Sequence, residues 1–460
     1  LAMIVMKFGG TSVESAAAIE RVASIVRERL DRQPVVVVSA MGKTTNRLLA
    51  LAEKACAGER AEAARLLEEL AAYTLGEARQ VCRAEDWAPL SGFIESHFQE
   101  LSAFLDELAG LGEFPAQYVD LISSYGERLS SRIVATAFKH FGMNGVHVDA
   151  REVIITDRRH TQAAPLYSRS YAKLDERVKP LAQQGQVVVM GGFIGSTQDG
   201  FTTTLGRGGS DFSASIVGAG IGADEIQIWT DVDGMLTCDP RILPGGHRVK
   251  MISFAEAAEL AYFGAKVLHP ATVVPAVEKN IPVLILNSRN ADNPGTRIVA
   301  EAVPCANPVK SIACKRNITI VNIQSLRMLM AHGFLKRIFD VFDRFQTPVD
   351  MVTTSEVSVS LTIDNTTHLD EICAELRKIA DVSTDNTQSL VCLVGDNIRD
   401  TPGLGARAFG ALRDINISMI TQGASKLNLS LIVLDSDLQR AVKALHDEFF
   451  ATLDEKVFDA

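Results

Sequence analysis

The stretch from Val5 to Val38 leaves this chain few ways to fold. Val5–Phe8 is an apolar run that stops at Gly9-Gly10. Ile19, Val22, Ala23, Val26 and Leu30 then recur with helical spacing, and Val35-Val36-Val37-Val38 is apolar without alternation. A run of that kind reads as a strand buried on both faces. Strand, helix and buried strand make a βαβ unit, whose crossover is right-handed and whose strands are parallel. The fold class is therefore α/β, with a mainly parallel sheet covered by helices. Thr11 and Glu14 have capping-box spacing at the start of the helix, and Ser15 is a second candidate cap.

The remainder falls into distinct regimes. At 460 residues the chain has room for about three domains. Residues 46–140 are rich in Ala, Leu, Glu and Arg with few β-branched residues, which predicts a helical insert. Strand and helix alternate again over 146–300, with strands expected near Val187–Met190, Glu225–Trp229 and Pro282–Leu286. Asn293-Pro294-Gly295 is a turn signal, and Ala302 through Pro308 reads as a linker. Beyond it the pattern strand, glycine loop, helix, strand, strand occurs twice. The first copy runs through Ile318–Ile323, Gly333, Phe334–Phe345, Val349–Val352 and Val357–Ile363. The second runs through Leu390–Val394, Gly403, Gly405, Leu412, Ile417–Ile420 and Leu427–Leu434. Met351 and Met419 are equivalent, giving a period of about 70 residues, longer than common solenoid repeats. Two small α/β sandwiches side by side are expected.

Composition excludes several functions. Basic residues number 46 and acidic ones 56, a net charge of −10, so a nucleic-acid backbone is not the expected partner. No apolar run approaches the 18 or so residues of a membrane span. The amino terminus reads as a buried strand rather than a signal peptide. Seven scattered cysteines show neither CxxC nor Cys/His ligand spacing, so no metal site and no disulfide framework are expected. A reducing cytoplasm is the expected location.

Four glycine-rich stretches compete for a phosphate. Lys7-Phe8-Gly9-Gly10-Thr11-Ser12 joins a strand to a helix start, where glycines admit a phosphate and Lys7 supplies charge. Met41-Gly42-Lys43-Thr44-Thr45 imitates a P-loop, but the position five residues before Gly42 is Val37, inside a strand, so no cradle forms. Thr202-Thr203-Thr204-Leu205-Gly206-Arg207-Gly208-Gly209-Ser210-Asp211 packs hydroxyls, a guanidinium and a carboxylate into ten residues. Gly403-Leu404-Gly405-Ala406-Arg407-Ala408 mimics a dinucleotide fingerprint without its acidic partner and is taken as a loop of the repeat.

Two of these motifs, 7–12 and 203–211, resemble signatures of the aspartate kinases in the amino acid kinase family. Trp229-Thr230-Asp231-Val232-Asp233-Gly234 and Phe263-Gly264-Ala265-Lys266-Val267-Leu268-His269-Pro270 are similar to two further segments, and the repeat is similar to the family's paired ACT regulatory domains. The resemblance implies a three-layer sandwich over 1–300 with a helical subdomain near 46–140. Two ferredoxin-like ACT domains would follow over 301–388 and 389–460, with a strand around 311–316 assignable to the second. It implies transfer of the γ-phosphoryl of ATP, carried with Mg2+, to the side-chain carboxylate of L-aspartate. In such a reaction positioning and charge neutralisation dominate. A fused homoserine dehydrogenase is not expected.

The resemblance also assigns residues. Lys7 and Asp211 are the catalytic pair, Asp211 organising the lysine; no general base is needed for an ionised nucleophile. Ser39, Thr45, Glu127, Arg207 and Ser210 bind the substrate. Arg207 grips a carboxylate and Glu127, in Ser124-Tyr125-Gly126-Glu127, meets the α-ammonium. Lys7, Phe8, Gly9, Gly10, Thr230, Asp231, Arg241 and Lys266 serve ATP. Met328, Gly333, Phe334, Leu335, Val349, Asp350, Ser355 and Glu356 form the effector site, where two carboxylates make lysine the fitting effector. A homodimer or dimer of dimers through the ACT domains is implied. The rival readings are another kinase of the same fold, acting on glutamate, carbamate or a nucleotide, and a non-catalytic amino-acid sensor. Asp233-Gly234 reads as a turn, and His269, Trp229 and Tyr262 as structural.

Overall fold

The computed structural model describes residues 2–264, 268–301, 303–325 and 332–459. The chain forms two compact units, Leu1–Met235 with Val267–Glu301, and Leu236–Lys266 with Ala302–Ala460. Leu236–Lys266, assigned on sequence to the first 300 residues, thus clusters with the second unit.

In the first unit seven strands follow the order 145–147, 187–191, 34–38, 4–8, 225–230, 283–287 and 296–299. All pair in parallel except the last. Ile4–Phe8 is central, and both it and Pro34–Val38 are wholly buried, as their unbroken apolar runs require. The helix after the first strand is Ala16–Arg27, and Ser15 caps it by accepting from the Ala18 N–H. The Thr11 capping box does not form, because Gly10–Ser12 is spent on a 3-10 turn ahead of the helix. A separate three-stranded sheet joins 155–156, 194–197 and 202–204.

The alanine- and leucine-rich region forms helices Thr44–Cys56, Arg60–Gln80, Ala84–Leu111 and Ala116–His140. In the third of these Leu90, Ile94, Phe98, Leu101, Leu105 and Leu108 are buried, a stripe spaced at three and four residues. The last packs on the sheet and buries most of its central turns.

In the second unit the two copies lie side by side in one sheet. One six-stranded antiparallel sheet runs 351–354, 358–363, 311–324, 381–394, 428–434, 417–422. Ser311–Lys315 pairs with Leu390–Val394, while Thr319–Gln324 pairs with Ser358–Ile363. Each 14-residue strand, Ser311–Gln324 and Asp381–Val394, therefore serves both copies. No glycine or proline interrupts either strand, so neither is cut at the repeat boundary. The copies part instead at Asn317, a left-handed residue with φ 58° where the register shifts.

The segment 236–266 carries helix Phe254–Tyr262, closed by a Ser253/Glu256 capping box. The Glu256 carboxylate also receives Lys310 Nζ at 2.9 Å, and neither side chain has any exposure. Removing one partner of such a pair strands a buried charge. We expect Lys310→Met to lower unfolding stability by about 3–5 kcal/mol in urea titrations followed by circular dichroism. Adding Glu256→Gln to it should recover part of the loss.

Candidate active site

In an open α/β sheet the carboxyl ends of the strands are where ligands bind. There the first unit has a cleft of about 330 Å³, which brings together Lys7, Ser39, Thr45, Glu127, Arg207, Ser210 and Asp211 from distant stretches of sequence. Gly10 lets the loop after Val38 close over this end of the sheet. A Cβ there would stand 2.8 Å from the Gly42 carbonyl oxygen and 3.0 Å from that of Ala40.

Lys7 is the penultimate residue of the buried strand Ile4–Phe8, so its ammonium needs a partner. Asp211 Oδ1 lies 2.7 Å away. Asp211 sits in the first turn of helix Gly209–Ile221, where the helix dipole favours a carboxylate. One residue nearer the helix start, Ser210 Oγ accepts from Ser39 Oγ at 3.0 Å. Opposite, Glu127 is buried on helix Ala116–His140. Its Oε1 accepts the Ala40 N–H at 3.1 Å, and Oε2 has no partner among the described residues. Loss of water is the main cause that pushes its carboxyl up to about 8, against the opposing Ala40 hydrogen bond. The cleft thus sets a lysine and an exposed arginine beside a buried acid with one oxygen unmatched.

The nucleotide assignments fare unevenly. Phe8 is core, stacked on Trp229 with centroids 5.8 Å apart, and its carbonyl accepts the Ser39 N–H, so its side chain is not available to a ligand. The Gly9 N–H donates to the Trp229 carbonyl, extending the parallel ladder by a residue, so the contact expected of it is closed too. Gly10 heads the following turn. Thr230 ends strand Glu225–Thr230 and Asp231 follows it, exposed, beside the Lys7 strand. Arg241 belongs to the second unit and forks onto Asp239, at 2.6 Å for its shortest contact. Lys266 lies outside the described residues. The Asp233 carboxylate accepts from the Asn287 and Asn290 side chains.

Of the effector residues, Met328 lies outside the described residues. Gly333 caps helix Phe334–Arg344, whose Phe334 is buried and Leu335 exposed. Val349 and Asp350 precede strand Met351–Thr354, and Ser355 with Glu356 forms the exposed turn after it. Asp350 is not left free for a ligand: Lys315 Nζ stands 3.2 Å away and also pairs with Asp364 at 2.6 Å. Burial raises the Asp350 carboxyl, with Lys315 opposing. Glu356 has no ion pair among the described residues.

Sequence reasoning passed over two contributors. Phe193 lines the cleft with φ 67°, a strained value for an aromatic residue, and the Gly191-Gly192 pair after a buried strand was its signal. Asp120, an acid among apolar neighbours on the helix of Glu127, has no exposure at all.

The sequence model of the amino acid kinase family matches residues 2–287, and an ACT domain model matches 391–449. Aspartokinase 3, chloroplastic, of Arabidopsis thaliana is 40% identical over 97% of this chain and 82% of its own. Escherichia coli aspartokinase III in complex with lysine and aspartate has a TM-score of 0.85, with 34% identity over 97% of this chain and 99% of that one. The same enzyme with aspartate and ADP gives 0.82 and 35%, over 97% and 100%.

Glu127 makes a prediction of its own. With a folded value near 8 and an unfolded one near 4.5, the folded state holds the extra proton between them, so stability falls as pH rises through that window. Unfolding free energies from denaturant titrations between pH 5 and 8 should fall more steeply for the native chain than for Glu127→Gln, by about 1.4 kcal/mol per pH unit.

Proposed function

We propose, for a chain that belongs to the amino acid kinase family and within it to the aspartokinases, that the cleft described above is where phosphoryl transfer occurs. The chain is an aspartate kinase. It moves the γ-phosphoryl of ATP to the β-carboxylate of L-aspartate, giving 4-phospho-L-aspartate and ADP, under feedback by lysine. The observation that carries the site is the convergence of Lys7, Arg207, Asp211 and Glu127 on one opening.

Both reactants are anions, so their repulsion is the barrier the protein has to lower. Lys7 neutralises phosphate charge, held in place by Asp211 at 2.7 Å. Arg207 takes the α-carboxylate, its fork matching two oxygens. Glu127 takes the α-ammonium; the arriving charge offsets the loss of water and draws its proton off. A β-carboxylate oxygen then bonds to the γ-phosphorus as the bond to the β-phosphate oxygen breaks, and ADP leaves with that electron pair. The nucleophile is already ionised, so no base acts. Mg2+ enters on the nucleotide.

Lysine is read at the ACT copies around Gly333, Leu335, Val349 and Glu356, with Lys315 competing for Asp350. A homodimer through these copies is supported by Leu335 and Phe339, exposed one turn apart on a single helix. All seven cysteines are free thiols, which suits a reducing compartment such as the cytoplasm. No described helix is long and apolar enough to cross a membrane.

The test is ADP release from MgATP with and without L-aspartate, with L-lysine or L-threonine added. Turnover that needs aspartate and is suppressed by lysine alone is expected. Aspartate bound without turnover would point to a sensor. Lys7→Ala should cost at least about 100-fold in kcat. The KM for aspartate should fall about tenfold between pH 6.5 and 8 as Glu127 gives up its proton more easily. Glu356→Ala should relieve lysine inhibition without changing the uninhibited rate.

A further inference from the structure

Arg207 must hold a fixed place to grip a carboxylate, yet its surroundings hold it weakly. It is exposed, makes no ion pair with a described residue, and sits between Gly206 and Gly208, with φ of 76° and 72°. A left-handed glycine on each side means that its immediate neighbours bring no side chain to brace it. Its direction therefore depends on whatever anchors the chain leading into it.

That anchor is Asp120. Its carboxylate is fully buried and accepts from Thr204 Oγ1 at 2.5 Å, from the Thr161 N–H at 2.9 Å and from His160 Nδ1 at 2.7 Å. A carboxylate can only accept here, so His160 carries its ring proton on Nδ1. Thr204 ends the strand that runs into Leu205-Gly206-Arg207, and its carbonyl accepts the Ala163 N–H at 2.9 Å. Thr161 is the other side of the same clamp. It is β-branched at φ 69°, a costly conformation that needs outside support, and its carbonyl oxygen lies 3.2 Å from where a Gly206 Cβ would stand. Asp120 thus grips both the strand entering the arginine loop and the turn against which that loop rests.

We infer that Asp120, through Thr204 and the 160–162 turn, is a positioning residue that sets Arg207 for the substrate's carboxylate. The inference rests on the reading of Arg207 given above. Asp120 touches no reactant; it acts through the backbone. It sits two turns before Glu127 on the same helix, so the groups assigned to the two ends of the amino acid's head are registered by one rigid element.

Steady-state kinetics separates positioning from mere support. Asp120→Asn keeps the size of the side chain and removes the charge that its donors need. It should raise the KM for aspartate about tenfold, leave the KM for MgATP within about twofold, and fold with native circular dichroism. Thr204→Val, which deletes one donor, serves if Asp120→Asn does not fold, and should shift the same parameter. His160→Phe should raise the aspartate KM and His160→Gln, which keeps a donor, should restore it. If Asp120→Asn and Thr204→Val lower thermal stability or kcat while leaving the aspartate KM unchanged, the inference is overturned. Arg207→Ala is the reference. A raised aspartate KM there with none in the Asp120 variants sinks the positioning role alone. No change in Arg207→Ala sinks the assignment of Arg207, and the role of Asp120 with it.

Discussion

The first unit is organised around two buried carboxylates on one helix. Asp120 and Glu127 lie on a common face of Ala116–His140, roughly 10 Å apart along its axis. Each reaches off the helix to a different segment, the first to the turn at Thr161 and the strand at Thr204, the second to the Ala40 N–H. Burying two acids is expensive unless donors meet them, and their environments meet them unequally. Asp120 is surrounded by donors and serves as a fixture. Glu127 has one backbone donor and a bare oxygen, and is left unsatisfied in a way that a cation would correct. The same helix therefore supplies both a rigid reference and a receptive group.

The Lys7 contact shows how the sheet completes the arrangement. A strand buried on both sides offers its last residues as the place where a charge can surface, and Lys7 does so against Asp211. The helix that carries Asp211 also presents Ser210 to Ser39, so lysine, carboxylate and hydroxyls are fixed by the meeting of two strand ends with one helix start. Arg207 differs from the others in being exposed on the short Leu205–Gly208 connection, with no ion pair to a described residue.

Much of this was legible in the sequence because it depends on local periodicity. The βαβ start, the helical insert with its stripe of leucines, and the glycine motifs all declare themselves through spacing and residue type. The seven cleft residues named from sequence do converge. Local pattern does not show competition for hydrogen bonds. Phe8 and Gly9 lie inside a motif that looks wholly available, yet the ladder to Trp229 and the packing of two aromatic rings consume them. Asp350 looked like an open acid, and a lysine 35 residues earlier in the chain had claimed it. Such long-range pairings leave no trace in local pattern. The repeat was visible as a repeat, and the strand around 311–316 expected to belong with the second copy does pair with Leu390–Val394; that it continues unbroken into the first copy has no signal in a linear pattern.

That sharing has a mechanical meaning. A strand of 14 residues is about 45 Å long, and two of them lie against each other across the whole regulatory sheet. Neither copy can slip by a residue without dragging the other, since a slip would turn every side chain of both to the wrong face. The ladder gives only between Lys315 and Ile320, where the register shifts twice in succession around Asn317 and Ile318. The sheet is thus built as a pair of stiff beams that can flex against each other only within that short stretch.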